Sequence, residues 1–388
     1  MKEIHSEVEL KKYINENGRL NNVVIQDLDL TGNQKILNDL SVDGSFFLGC
    51  RIDADLMHKL QGLGAYVLPQ VPHLPFRPFR AGLYTHEELF DNFNLIDPCT
   101  YCKCTDSIIY NYWKENGGSE TRSIVSGIFQ RIHDQSISDA LYDFLDARKD
   151  QKVVAIMGGH SLSRKNNRYR DIVFLSRELT NTGYLMVSGG GPGAMEATHL
   201  GAMMVNCTEL QIDEALKTLC EAPTYKDKYW LSSAYRVFTS LSNDVKKGIS
   251  LGIPTWHYGH EPPTPFASHI AKYFSNSIRE EGLITVAHDG IVFAPGSAGT
   301  IQEIFQDAAQ NHYATTGYSS PMIFLDKKYW IDEKPVFPLL KSLSEGYSYS
   351  SILEIADSVG GVTELLNNYS KIRSNQDSWN FCANHCRK

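Results

Sequence analysis

The chain has 388 residues, a formal net charge of −8 and 42% hydrophobic residues, enough for two or more domains with a substantial core. That acidic balance supplies no basic field for a nucleic acid polymer. No stretch approaches the ~18 consecutive apolar residues of a membrane span. The opening Met1–Glu7 has no apolar signal region, so a cytoplasmic protein without a membrane partner is expected.

Residues 1–150 read as an N-terminal extension of mixed α/β character. Asn22–Ile52 alternates short apolar runs such as Val23-Val24-Ile25 and Phe46-Phe47-Leu48 with turn residues, which predicts short strands or a small solenoid-like edge. Val67–Arg80 carries Pro69, Pro72, Pro75 and Pro78 and predicts an extended strap across another surface. Cys99, Cys102 and Cys104, with Cys382, His385 and Cys386 near the C-terminus, raise a zinc site. No second Cys-x-x-Cys follows at finger-like spacing, so free thiols and no metal are expected. Residues 107–148 look mainly helical, with Ile124, Ile128 and Ile132 on one face, and Asp146–Asp150 marks a boundary.

Residues 151–370 repeat the order strand, turn, helix, and 371–388 form a tail. Expected strands are Val153–Met157, Tyr184–Val187, Ile253–Tyr258, Ile291–Ala294, Met322–Leu325 and Ile352–Ala356. Expected helices are Tyr169–Asn181, one from Gly193, Phe266–Glu281, Gly299–His312, Val336–Leu343 and Val362–Asn367. Short apolar strands alternating with amphipathic helices predict an α/β fold with a doubly wound, Rossmann-like parallel sheet. Ligands bind such sheets beyond the strand C-terminal ends.

Two glycine-rich turns fall at such ends. One is Ser188-Gly189-Gly190-Gly191-Pro192-Gly193-Ala194-Met195-Glu196; the other is Pro295-Gly296-Ser297-Ala298-Gly299-Thr300-Ile301-Gln302-Glu303. A strand, a side-chain-free turn and a helix N-terminus make a phosphate cradle, because the backbone can approach the anion while N–H groups and the helix dipole point at it. Neither turn ends in Gly-Lys-Ser/Thr, which excludes a Walker loop, and there is no Gly-x-Ser-x-Gly elbow for an acyl-transfer serine. Gly189-x-Gly191-x-x-Ala194 formally fits a dinucleotide fingerprint, but no carboxylate ends a following strand; Asn206–Asp213, with Glu209 and Asp213, has no strand-like run.

Gly-Gly-Gly-Pro-Gly-Ala-Met-Glu, followed about a hundred residues later by Pro-Gly-Ser-Ala-Gly-Thr-Ile-Gln-Glu, resembles the LOG family of nucleoside 5′-monophosphate phosphoribohydrolases. These proteins were long mislabelled lysine decarboxylases. The N-terminal extension is similar to that of the larger purine/pyrimidine nucleotide 5′-monophosphate nucleosidases. Ile156–His160 resembles the family's first strand and turn, and Phe337–Leu340 with Glu345–Tyr347 its final helix and turn. The family's second motif has glycine where this chain has Ser297, a departure that narrows the loop.

The resemblance implies hydrolysis of a nucleotide to free base and ribose 5-phosphate, without metal or organic cofactor, in a dimer or dimer-based homo-oligomer. It implies Glu303 and Arg279 as catalytic groups. Glu303 is expected in the first turn of its helix, holding the ribose hydroxyls, stabilising positive charge and orienting water. Arg279 is expected at the phosphate or the departing end. Gly296, Ser297, Ala298, Gly299 and Thr300 would hold phosphate. Gly158, Gly159, Ser188, Gly189, Gly190, Gly191, Gly193 and Glu196 complete the expected nucleotide site, and Ser161 would lie near base or sugar. The basic run Arg164, Lys165, Arg168 and Arg170 reads as exposed. His257, His260 and His269 read as loop or packing residues rather than proton donors. A nucleotide sensor that keeps the loops without turnover is the alternative from another class; a nicotinamide-dinucleotide enzyme is a weaker third.

Overall fold

The computed structural model describes residues 1–32, 37, 39–241, 245–259, 262–314 and 319–370. His260, the tail 371–388 and the C-terminal Cys382, His385 and Cys386 lie outside the described residues. The chain forms two compact units: Met1–Leu83 with Ile108–Ala147, and Tyr84–Ser107 with Arg148 onward.

The first unit is built on four short parallel strands in sequential order: β1 (Lys2–Ile4), β2 (Val23–Gln26), β3 (Phe46–Leu48) and β4 (Tyr66–Leu68). Helix α1 (Glu7–Asn17) follows β1 and α2 (Ala54–Gly62) follows β3. In register, Ile4 pairs with Ile25, Ile25 with Phe47, and Phe47 with Val67. The steps are 21, 22 and 20 residues, so each coil stacks its apolar residue on its neighbour's, which is the solenoid-like pattern read from Asn22–Ile52. Asp27 and Gly49 take positive φ just after β2 and β3, turning the chain at equivalent places. Ile4, Leu10, Ile25, Phe47, Leu56 and Leu60 share one core. The proline-rich segment after β4 is pinned by buried Phe76 and Phe79, Phe76 lying edge-on to Tyr112 and His133. Helices α3 (Thr105–Glu115) and α4 (Ile124–Asp146) fill the span read as helical.

The second unit carries a seven-stranded sheet. In chain order its elements are β5 (Val153–Met157), α5 (Asn167–Asn181), β6 (Leu185–Ser188), α6 (Ala194–Met203), α7 (Glu209–Leu219), α8 (Trp230–Ser240), β7 (Ser250–Gly252) and β8 (His269–Ile270). Then come α9 (Asn276–Val286), β9 (Ile291–Phe293), α10 (Ala298–Tyr313), β10 (Met322–Leu325), α11 (Val336–Ser344) and β11 (Leu353–Ala356). The spatial order is β11-β10-β9-β5-β6-β7-β8 and every pairing of these strands is parallel. This is the doubly wound α/β sheet expected. Strands β5, β6, β9 and β10 are buried along their whole length, as a sheet covered on both faces requires.

Two expected elements differ. Ile253–Tyr258 is not a strand, because β7 ends at Gly252. The span read as a helix from Phe266 instead begins with β8, and its helix starts only at Asn276. The apolar spacing there is overridden by pairing: Leu251 and Gly252 take His269 and Ile270 into the sheet, and Thr255 bridges Tyr273. Tyr84 extends this edge by exchanging both backbone hydrogen bonds with Ile270 at 2.9 Å, which ties 84–107 to the second unit. Nearby, the buried Asp106 carboxylate accepts from Lys272, from the Trp256 indole at 2.9 Å and from the Tyr101 hydroxyl at 2.8 Å. Helices α7 and α8 had no counterpart in the sequence reading.

Phe47 is fully buried at the centre of the small sheet. Phe47→Ala is expected to cost about 3–5 kcal/mol, seen as a lower denaturant midpoint for the first unit. His199, on α6, is fully buried with Nδ1 3.0 Å from the Ser250 hydroxyl, and burial pushes its imidazole down to about 3. The unfolded chain protonates histidine near pH 6.5, so it binds more protons than the folded state below that pH and stability falls as pH drops from about 6.5 to 3. Denaturation at pH 7 and pH 5 should show a smaller acid loss in His199→Asn than in wild type.

Candidate functional site

Strand order reverses direction between β5 and β9, so the chain leaves their C-terminal ends on diverging paths and opens a crevice there. A cleft of about 370 Å³ occupies this position. Gly158 and Gly159 after β5 form one wall and Ser297 to Thr300 after β9 another; Glu303, Arg279 and Glu280 project into it. The Gly159 N–H donates to the Pro295 carbonyl at 3.2 Å, stitching the two turns together.

The second glycine turn presents an open helix end. Ser297 occupies the N-cap position of α10, yet its hydroxyl makes no capping bond. Ser297, Ala298 and Gly299 are exposed, so the first N–H groups, which lack acceptors within the helix, face the cleft with the positive end of the dipole behind them. At Ser297 φ is −113°, outside the left-handed region that favours glycine, so the backbone does not require glycine here. The Tyr329 hydroxyl donates to the Gly296 carbonyl at 2.5 Å and the Trp330 indole to the Phe293 carbonyl at 3.1 Å. These two aromatic anchors, more than thirty residues along the chain, fix the turn from behind and leave no mark in its own sequence.

Glu303 is the sixth residue of α10, in its second turn rather than the first. It is 8% exposed and pairs with Arg279, itself 7% exposed, at 3.2 Å. Arg279 also donates through Nε to the Ile253 carbonyl at 3.0 Å. A Cβ at Gly189 would lie 2.2 Å from the Arg279 Nη2 atom, so glycine there is what admits the guanidinium. Among the described lining residues two carboxylates, Glu303 and Glu280, face one guanidinium. The walls therefore carry excess negative charge while the α10 end offers N–H donors. Asp307, one turn further along α10, is fully buried, and burial raises its carboxyl well above the usual range, favouring the neutral acid.

The first glycine turn has a different place. Ser188 to Gly193 are all buried, and none lines the cleft, which takes only Met195 from this segment. The Ser188 hydroxyl donates to the Ile156 carbonyl at 2.6 Å, and the Gly190 carbonyl accepts from the Thr264 N–H at 2.8 Å. Gly193 has φ +69°, and a Cβ there would lie 2.4 Å from the Gly159 carbonyl; the turn packs under the β5 turn. Glu196 is fully buried outside the cleft. Its carboxylate accepts from Arg164 Nε at 2.8 Å, Arg164 Nη2 at 2.5 Å and the Tyr169 hydroxyl at 2.9 Å. Arg164, read as exposed, is 3% exposed: this ion pair and the Ala222 carbonyl, 2.9 Å from Nη1, draw it inward.

His160, Tyr258, Glu280 and Gln302 also line the cleft, and the sequence reading gave them no role there. His160 follows the β5 turn, so its place after Gly159 was the available signal. Ser161 is exposed and outside the lining. His257 lies edge-on to Tyr258, and His269 sits on β8 with Nδ1 3.0 Å from the Ser268 hydroxyl, both apart from the cleft lining. Cys99 and Cys102 are exposed while Cys104 is buried, and burial raises the Cys104 thiol to about 11. No helix among the described residues is long and apolar enough to cross a membrane.

No protein-family model matches the chain, and no curated protein matches it. Solved structures do. The molybdenum cofactor carrier protein of Chlamydomonas reinhardtii aligns over 57% of this chain and 99% of its own, with 13% identity and a TM-score of 0.37. The molybdenum cofactor binding protein of the phototrophic bacterium Rippkaea orientalis aligns over 56% and 96%, with 14% identity and a TM-score of 0.35. The structural-genomics target TM1055 aligns over 56% and 99%, with 19% identity and a TM-score of 0.36.

Removing one partner of the Arg164–Glu196 pair leaves an uncompensated buried charge. Arg164→Met and Glu196→Gln are each expected to destabilise by about 3–5 kcal/mol, whereas the double variant Arg164→Met/Glu196→Leu recovers part of that loss. Chemical denaturation of the three variants checks the pattern.

Proposed function

We propose that this protein hydrolyses the N-glycosidic bond of a nucleoside 5′-monophosphate, releasing free base and ribose 5-phosphate. The observation that carries the reading is the pairing of buried Glu303 with buried Arg279 beside an open helix N-terminus in one cleft. The 5′-phosphate would sit at the first turn of α10, with the Ser297 and Thr300 hydroxyls as further donors. The ribose then lies towards Glu303.

In the reaction the C1′–N bond breaks with its electron pair leaving on the base, and the ribose becomes oxocarbenium-like. A water oxygen bonds C1′ and gives up a proton, and the base takes up one. Glu303, paired with Arg279, opposes the positive charge at the sugar and orients the water. The excess negative charge of the walls favours that cationic transition state over the neutral sugar of the ground state, which is the differential binding that accelerates a reaction. Arg279 supports Glu303 through its charge and fixed fork. A nicotinamide dinucleotide is disfavoured, because β7, the strand that follows the Gly189–Ala194 turn and should end in an acidic ribose ligand, ends in Gly252 and runs into Ile253.

The test is product release from AMP, GMP, IMP, CMP and UMP by wild type and Glu303→Ala. Wild type should yield base and ribose 5-phosphate, and the variant should lose at least about 10²-fold in kcat/KM. Binding of the panel without turnover would replace this reading with a nucleotide sensor on the same loops.

A further inference from the structure

The reading above gives no task to Glu280, a cleft-lining acid that is only 8% exposed. It neighbours Arg279 in sequence, but its hydrogen-bond partners are neutral. Gln302 Nε2 donates to Oε2 at 2.7 Å, and Asn276 Nδ2 donates to Oε1 at 2.7 Å. The Asn276 amide also reaches the Tyr258 hydroxyl oxygen at 3.1 Å. The start of α9 and the first turns of α10 thus hold this carboxyl, and Tyr258 contacts the Asn276 amide beside it.

A carboxylate offers about four acceptor sites, and the two amides occupy two of them. A largely buried acid whose remaining acceptors meet a ligand cleft is suited to a group with two adjacent donors. It is held in place by side chains that add no charge. Glu303 differs in being matched to a cation.

We propose that Glu280 accepts the 2′- and 3′-hydroxyls of the ribose, so that the site selects ribonucleotides over 2′-deoxyribonucleotides. Gln302 and Asn276 are its positioning residues. The proposal rests on the nucleotide reading of the cleft and moves the hydroxyl contacts, expected of Glu303, to Glu280. Glu303 keeps the charge at C1′ and the water. A site built around a substrate hydroxyl rejects the analogue that lacks it, because its buried acceptor is then left unpaired.

The experiment compares kcat/KM for each ribonucleoside 5′-monophosphate and its 2′-deoxy counterpart in wild type, Glu280→Gln and Gln302→Ala. Wild type should favour the ribonucleotide by about 10- to 100-fold, the range for a hydrogen bond to a charged group. Glu280→Gln should bring the ratio to within about threefold of unity, and Gln302→Ala should give an intermediate ratio. A wild-type ratio near one overturns the proposal. So does a Glu280→Gln variant that slows both sugars equally, since a purely structural acid would not change the ratio. If wild type turns over no nucleotide, calorimetric binding of the same pairs decides: a ribose preference lost in Glu280→Gln supports the role of Glu280 while hydrolysis fails. Absence of binding sinks both readings.

Discussion

The Arg279 guanidinium sets the geometry of the cleft, because the ends of two strands and one helix depend on it. Its Nε binds the carbonyl that follows β7, its Nη1 pairs with Glu303 on α10, and its Nη2 fills the space that Gly189 leaves empty after β6. A planar fork suits this task better than an ammonium, since several donors leave it in fixed directions. Burying the charge is unfavourable unless its partners stay in place. The same interaction therefore defines the fold locally and fixes the Glu303 carboxyl at the cleft wall.

The two glycine turns divide the work between them. The turn after β6 is internal, and its glycines let backbones and a guanidinium come close. The turn after β9 is external, and its first N–H groups face the open cleft. Each is followed by a helix carrying an acid, and the position of that acid separates the roles. Glu196 is the third residue of α6 and points to Arg164 and Tyr169; Glu303 is the sixth of α10 and meets Arg279.

The parallel sheet was legible because β5, β6, β9 and β10 are continuous apolar runs bounded by turn residues, and burial on both faces leaves that mark. The edge was not. Phe266 to Phe274 has helical spacing, but its place is decided by pairing with β7 and with Thr255 beyond it, which the spacing does not encode. In the site, Glu303 and the Ser297 to Thr300 turn could be read as a strand-turn-helix unit. The burial of Ser188 to Gly193 could not, since glycine answers equally to a ligand and to a neighbouring backbone. Arg164 looked exposed among basic residues because its partner, Glu196, is more than thirty positions away. Glu280 was masked by Glu281 beside it, as one charged stretch on a helix.

The first unit ends its stack with a short strand and a proline-rich strap. A parallel array of coils has an outer strand whose free N–H and C=O groups invite another chain to add itself. Here that strand, β4, is three residues long, and Pro69, Pro72, Pro75 and Pro78 follow at once. Proline has no N–H to offer a growing ladder, and buried Phe76 and Phe79 anchor the segment. The strap turns back from β4 to the C-terminal ends of β2 and β3, where the Arg80 carbonyl accepts from the Gln26 amide and Phe79 packs where Gly49 leaves room for it, so the chain leaves the array after its fourth strand.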